Sequence, residues 1–382
     1  MKTNSPGDFP LLFTPARIAG LDLPNRLVMA PTAINFANPD GTPSDRQSEY
    51  YRMRAEGGVG LVIVEATFVR GDGRSFPASL GLDQDSRIPR FRELAQAIHE
   101  GGAQAGIQLV HTGRRGNPAI IGHQPIGPSA IPCPVRQVVP RELKREEILE
   151  LAQAFVSAAE RAEEAGFDLI CLHMAHGTLL HQFLTPLANQ RQDEYGTGLE
   201  GRMRLPLLVV QKIRDRLGSR ITLSCRISSE DGVEGGLKLA QTCQIARGLR
   251  AAGADLLDVS FGIQGSTPLT SPTQETPMGC FVSFAEKIRE AAGPPVIAVG
   301  KIWEPALAEE ILRSEKAELI ALSRPLLADP DLPRKWREGQ SKLVRPCIGD
   351  NKGCLGRLYQ DLEVRCSVNP TLGRASSFQT SN

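Results

Sequence analysis

Eight short apolar runs punctuate the chain, and amphipathic segments of helix length lie between them. The runs are Leu27–Ala30, Gly60–Val64, Ala105–Val110, Asp168–His173, Ile221–Ile227, Asp255–Ser260, Pro295–Val299 and Glu318–Leu322. Each is short and apolar on both faces, the pattern of a strand buried in a parallel sheet. Helices are predicted over Ile88–Glu100, Arg145–Ala165, Gly201–Leu217, Leu237–Ala252, Phe281–Ala292 and Pro305–Arg313. The segment from Arg145 has glutamates in its first turn, apolar residues at i, i+3 and i+4, and a stop at Gly166. Strands alternating with helices in one continuous series predict an α/β fold, a (β/α)8 TIM barrel, rather than a doubly wound sheet.

A barrel gathers its chemistry at the C-terminal ends of the strands, and polar or special residues follow the runs here. Pro31-Thr32 follows the first, Gln108 and His111 mark the third, and His173 and His176 the fourth. Arg226 ends the fifth, Gly300-Lys301 follows the seventh and Ser323-Arg324 the eighth. The stretch Arg114–Arg141 is rich in Pro and Gly without periodicity and reads as an excursion over the barrel mouth, a candidate lid. The helical pattern fades after Trp336, so residues 1–340 read as the barrel and 341–382 as a C-terminal cassette appended to it.

Composition narrows the function classes. The 382 residues are 41% hydrophobic, ample for a large core, and a net charge of +1 supplies no basic field for nucleic acid. No apolar run nears the roughly 18 residues that a membrane span needs. The start, Met1-Lys2-Thr3-Asn4, lacks the apolar stretch of a secretory signal. A cytoplasmic protein acting on a small molecule, with no nucleic-acid or membrane partner, is expected; a homo-oligomer stays open. Among the eight cysteines, Cys133, Cys171, Cys225, Cys243 and Cys280 are scattered and read as small buried core residues. Cys347, Cys354 and Cys366 cluster with Asp350 in the cassette, and in a reducing compartment such clustering favours metal over disulfide.

Several motifs bear on chemistry. Gly196-Thr197-Gly198-Leu199-Glu200-Gly201 has the dinucleotide-binding spacing, but polar Asp193-Glu194-Tyr195 precedes it where a strand is required. It is read as a chance match, and no nicotinamide or FAD domain is expected. Gly300, Ser323 and Arg324 stand at the two strand ends where barrels commonly cradle a phosphate: close backbone approach, a hydroxyl and a bidentate cation. His173 and His176 lack a third histidine or a carboxylate at metal-ligand spacing. Two donors above a cofactor suit polarisation of a carbonyl oxygen instead. Gln108 donates and accepts, as the pyrimidine edge of a flavin requires, and Arg226 can stabilise charge on a reduced flavin.

With these residues in place, the chain resembles the Old Yellow Enzyme family of FMN-dependent ene-reductases. Within it, the likeness is to the branch of 2,4-dienoyl-CoA reductase and trimethylamine dehydrogenase. The motifs are Asn25-Arg26-Leu27-Val28-Met29-Ala30-Pro31, Gln108-Leu109-Val110-His111-Thr112-Gly113-Arg114, His173-Met174-Ala175-His176-Gly177-Thr178 and Leu322-Ser323-Arg324-Pro325. The resemblance implies FMN across the barrel mouth, with Ala30, Pro31 and Thr32 along the isoalloxazine and Glu65 near its edge. It implies Gln108 and Arg226 on the pyrimidine, and Gly300, Lys301, Ser323 and Arg324 around the phosphate. His173 and His176 match the pair that grips a substrate carbonyl while hydride reaches the β-carbon.

Three departures stand out. Thr178 occupies the place of the family's proton-donating tyrosine, and a threonine hydroxyl is a poor acid. Ala33 stands where some relatives carry a flavin-tuning Cys or Thr. The cassette matches the C-x2-C-x3-C-x11-C pattern of a 4Fe–4S cluster, with Asp350 in place of the second cysteine beside Cys347, Cys354 and Cys366. Those relatives continue into FAD and NAD(P)H domains beyond Asn369-Pro370. Here electrons are expected from an external electron-transfer protein through the cluster, or from NAD(P)H docking on FMN. The expected activity is reduction of a C=C bond conjugated to a carbonyl or thioester. The rivals are a dehydrogenase or demethylase of an amine or alicyclic substrate, a non-catalytic flavin-binding subunit, and a flavin-free aldolase-type barrel using Lys301.

Overall fold

A computed structural model of the chain describes residues 7–263, 266 and 270–374. Part of the Gly262–Met278 loop and the segment Met1–Pro6 lie outside the described residues. All eight runs form strands: β1 Leu27–Met29, β2 Leu61–Phe68, β3 Gln104–Val110, β4 Leu169–Met174, β5 Thr222–Ser228, β6 Leu256–Ser260, β7 Val296–Ala298 and β8 Leu319–Leu322. They close into a single parallel barrel in sequence order, and β8 returns to β1 with Ile320 opposite Leu27. The TIM-barrel expectation holds.

Two apolar layers account for the closure. Inside the barrel, Val28, Leu61, Ile63, Leu169, Leu256, Ile297 and Leu319 pack on one another. Outside, the other strand face meets the helices through residues such as Val62, Phe91, Phe155, Val209 and Ile245. Strands buried on both faces carry apolar residues without alternation, which is why the runs were continuous in sequence. The bottom of the barrel is plugged by an antiparallel hairpin, Ala16–Ile18 with Leu21–Leu23, whose Ile18, Leu21 and Leu23 join the inner layer.

The helices are α1 Asp45–Glu56, α2 Ile88–Glu100, α3 Arg145–Glu164, α4 Gly198–Leu217, α5 Leu239–Ala251, α6 Val282–Ala292 and α7 Pro305–Arg313. α1 has no counterpart among the predicted helices. Its buried face carries Gln47 and Arg54 beside Tyr50, Tyr51 and Ala55, so the apolar stripe that betrays an amphipathic helix is absent. Arg54 stacks 3.7 Å over Tyr50 and donates to the carbonyls of Tyr50 and Leu326. The Gly196–Gly201 motif straddles the start of α4 with no strand leading in.

The Arg114–Arg141 excursion is more ordered than its composition suggests. It holds a short helix, Pro118–Ile121, and a two-residue strand, Ile126–Gly127, paired with Arg141–Glu142. No helix among the described residues is long and apolar enough to cross a membrane. The cassette lies against the barrel mouth: Val364 N donates to Ile34 O at 2.9 Å, and Asn369 Nδ2 to Leu327 O at 2.9 Å.

Gly57 ends α1 against the Pro330-Asp331 turn between two short helices, Arg324–Ala328 and Leu332–Arg337. A Cβ there would meet the Pro330 carbonyl oxygen at 1.9 Å, and that neighbour is backbone that cannot swing away. Gly57→Ala is expected to destabilise the fold by about 1–3 kcal/mol, read as a lower urea midpoint with an unchanged slope.

Candidate active site

A cavity opens at the C-terminal ends of the strands, and most of the residues singled out from sequence line it. Pro31 and Thr32 form one wall. Thr32 Oγ1 donates to Ala30 O at 3.0 Å and lies 2.7 Å from Ser323 Oγ, so the β1 and β8 exits are stitched together. Ala30 itself sits in the inner barrel layer beneath the cavity. Glu65 does not line the cavity either. Its carboxylate accepts from Ile34 N at 2.8 Å and from the Gln47 amide, which fastens the loop after β1 from below. Burial raises its pKa to about 7.

Across the floor, one register row carries three polar side chains: His173 of β4 lies opposite Arg226 of β5, and Arg226 opposite Asp258 of β6. Arg226 and Asp258 form a buried ion pair. Gln108 of β3 reaches the Cys171 thiol only weakly, at 3.5 Å, which leaves its amide available to a ligand. Asp258 is a charged residue inside an apolar strand, the available signal in sequence for a partner that the motif reading does not name.

The histidines sit edge to face with ring centroids 5.4 Å apart. His176 takes a left-handed φ of 57° and its Nε2 lies 2.8 Å from Ser260 Oγ. Burial drives both imidazoles well below their usual pKa, helped for His176 by the positive charge of Arg226, so both are neutral near pH 7. His173 Nδ1 is buried without a protein partner, a donor or acceptor left to the cavity. The loop that holds the pair is clamped at Gly177. Its N–H donates to His181 Nδ1 at 2.8 Å, and its carbonyl accepts from Gln182 Nε2 at 2.7 Å. Gln182 also bonds Thr112 O and Arg114 N, locking the β3 and β4 exits to each other. Thr178 lines the cavity, but its hydroxyl donates to the carbonyls of His173 at 2.7 Å and Ala175 at 3.0 Å.

At the far end stand Gly300, Lys301, Ser323 and Arg324. Gly300 has φ 123°, and a Cβ there would meet the Phe281 ring at 2.8 Å, so only glycine fits. Lys301 Nζ donates to the carbonyls of Gln274, at 2.6 Å, and Thr276. That ammonium holds a loop, which speaks against a Schiff-base role. Arg324 NH1 bonds Pro272 O and Asn351 Oδ1, each at 2.6 Å, tying the cassette to the barrel. Beyond it, Cys347, Asp350, Cys354 and Cys366 line one small cavity next to Arg324. Asp350 Oδ2 accepts from Ser367 Oγ at 2.7 Å, and burial raises the Cys347 and Cys354 thiols above their usual pKa. The four share a cavity, yet among the described residues no three His, Cys, Asp or Glu side chains converge closely enough to hold a metal ion.

The sequence model of the NADH:flavin oxidoreductase / NADH oxidase family matches residues 11–342. This chain belongs to that family. An NADH oxidase of Thermoanaerobacter brockii is 44% identical over 373 residues, 97% of this chain and 57% of that protein. An NADPH dehydrogenase of Listeria innocua serovar 6a is 39% identical over 329 residues, 86% of this chain and 94% of that protein. Among solved structures, a 2-naphthoyl-CoA reductase complex with 2-naphthoyl-CoA superposes with a TM-score of 0.92 at 30% identity, over 96% of this chain and 58% of that one. The chain thus spans a little over half the length of the first and third of these relatives. The Old Yellow Enzyme resemblance drawn from the motifs holds. For this flavin oxidoreductase family the cavity is a suitable FMN site: amide and guanidinium on its floor, glycine backbone and guanidinium at its end, and neutral imidazoles on its wall.

Glu65 offers a pH test of the loop it fastens. Its pKa in the fold, about 7, exceeds the ordinary 4.5, so between these values the folded protein holds a proton that the unfolded chain has lost. The stability of the natural protein relative to Glu65→Gln is therefore expected to fall as pH rises from 4.5 through 7, by up to roughly 3 kcal/mol. Urea unfolding across that range measures the slope; parallel curves for the two proteins contradict it.

Proposed function

We propose that this chain binds FMN across the barrel mouth and reduces a C=C bond conjugated to a carbonyl or thioester. The observation that carries the reading is the pair of buried neutral imidazoles, His173 and His176, on the wall of a cavity floored by Gln108 and Arg226. A neutral imidazole donates one N–H without bringing a charge of its own. It can therefore bind a carbonyl oxygen in the ground state and strengthen that bond as negative charge develops. When bound, reduced FMN supplies the hydride equivalent to the β-carbon.

The chain's residues do the rest. Gln108 and Arg226 hold the pyrimidine side, Pro31 and Thr32 the isoalloxazine face, and Gly300, Ser323 and Arg324 the phosphate. Asp258 holds the Arg226 guanidinium in place. Ser260 orients His176 through its 2.8 Å contact. The named activity of the 2-naphthoyl-CoA reductase relative, whose ligand is a thioester, supports this substrate class. Electrons are drawn from NAD(P)H or an external electron-transfer protein.

In the same reading residues 341–382 form a cluster-binding cassette, with Cys347, Asp350, Cys354 and Cys366 as ligands of a 4Fe–4S centre. Their shared cavity and their register along the chain support it. The separation of the side chains does not.

Two measurements on one anaerobic preparation test these proposals. The protein is expected to hold FMN, and an enone is expected to reoxidise the reduced flavin, while an amine leaves the oxidised flavin unbleached. Bleaching by an amine, with no reoxidation by an enone, reverses the direction of the reaction. Iron and sulfide analysis is expected to find about four irons per chain, held more firmly in Asp350→Cys. No iron in either form sinks the cluster and leaves the flavin reading standing.

A further inference from the structure

Hydride addition to the β-carbon of an enone leaves the α-carbon needing a proton, and the ene-reductase reading must find an acid for it. Thr178 is not that acid, because its hydroxyl is bound to two backbone carbonyls. Among the described residues the cavity lining contains no aspartate and no glutamate. Lys301 is tied to two carbonyls, and Cys354 also faces the small cavity of the cassette. His176 is engaged with Ser260 and grips the oxygen in this reading. Of the four tyrosines, Tyr50, Tyr51 and Tyr195 are buried away from the cavity. Tyr359 lines it.

We propose that Tyr359, delivered by the C-terminal cassette, is the acid that protonates the α-carbon in place of the residue at Thr178. The proposal rests on the ene-reductase reading. The turn that carries Tyr359 also sends Leu355 and Leu358 into the cavity wall. Asp361 anchors this turn on three sides. Its carboxylate bonds Arg136 at 3.1 Å and Asn117 at 3.2 Å, and its carbonyl accepts from Asn35 Nδ2 at 3.1 Å. Tyr359 is thus pinned between the lid excursion and the loop after β1, although it is 52% exposed. Its hydroxyl makes no hydrogen bond among the described residues and is free to turn toward a substrate.

Arg115 completes the arrangement. NH1 donates to His176 O at 2.9 Å, Nε is buried without a partner, and the guanidinium lies within electrostatic reach of Tyr359. Arg115 and Tyr359 thus line the same cavity. The step balances: the tyrosine O–H bond breaks, the α-carbon–hydrogen bond forms, and the electron pair stays on the phenolic oxygen. Water then reprotonates the exposed phenolate. The two electrons enter earlier as hydride from the reduced flavin, itself reduced by the nicotinamide or protein donor.

Tyr359→Phe tests this, with thermal melting and flavin content as controls for folding. In stopped flow, reoxidation of the reduced flavin by an enone is expected to slow by roughly 100-fold. A nitroalkene is the diagnostic second substrate, because hydride addition to it yields a stable nitronate that departs without α-protonation. Its reoxidation rate is expected to change by less than about two-fold, with the nitronate seen directly by near-ultraviolet absorbance. Natural enone rates in Tyr359→Phe overturn the proposal alone. So does an equal slowing with both substrates, which marks Tyr359 as a binding residue. A natural protein whose reduced flavin no enone reoxidises overturns the ene-reductase reading and this proposal together.

Discussion

Closure of β8 onto β1 is the constraint on which the molecule depends. Ile320 N bonds Arg26 O at 3.0 Å, and Ala30 N bonds Leu322 O at 2.8 Å, so the first and last strands finish the ring in register. That register brings residues nearly three hundred positions apart, Thr32 and Ser323, into hydrogen-bond contact. It also brings every strand's C-terminal end to one face, where Gln108, His173, Arg226 and Gly300 meet. A slip of one residue would turn the inward side chains outward and dissolve the cavity.

Within that frame the electrostatics are one-sided. The cavity lining carries Arg115, Arg226, Lys301 and Arg324, and no carboxylate among the described residues. Each cation is held by neighbouring groups: Arg115 by the His176 carbonyl, Arg226 by Asp258, Lys301 by two carbonyls, Arg324 by Pro272 and Asn351. Buried cations beside the two histidines favour neutral imidazoles, and an anionic ligand finds a field of the right sign. The cassette shares this face. Asn351 meets Arg324, Asp361 meets the Arg114–Arg141 excursion, and Tyr359 enters the wall, so the cassette shapes the mouth of a barrel whose last strand ends at Leu322.

Much of the fold was legible because buried parallel strands write themselves as continuous apolar runs. Most polar residues at the ends of those runs, from Thr32 to Arg324, then fall on the cavity; His111 does not, being buried against Asp72 at 2.9 Å. What hid from the pattern was polar burial. α1 buries Gln47 and Arg54, so its periodicity is blurred, and the hairpin that plugs the barrel is too short to show a period at all. Glu65 falls near the site in sequence terms, but the structure sets it beneath the loop, where it holds backbone rather than lining the cavity.

By itself the sequence determined the barrel, the strand ends that line the cavity and the family motifs, because hydrophobic periodicity and short motifs are local properties of the chain. Only the tertiary structure decided which of those residues are free. Thr178 and Lys301 are occupied by backbone carbonyls, Asp258 stands behind Arg226, and Tyr359 is carried to the cavity from the far end of the chain. Such partnerships join strands and loops distant in sequence, and they exist only once the barrel has closed.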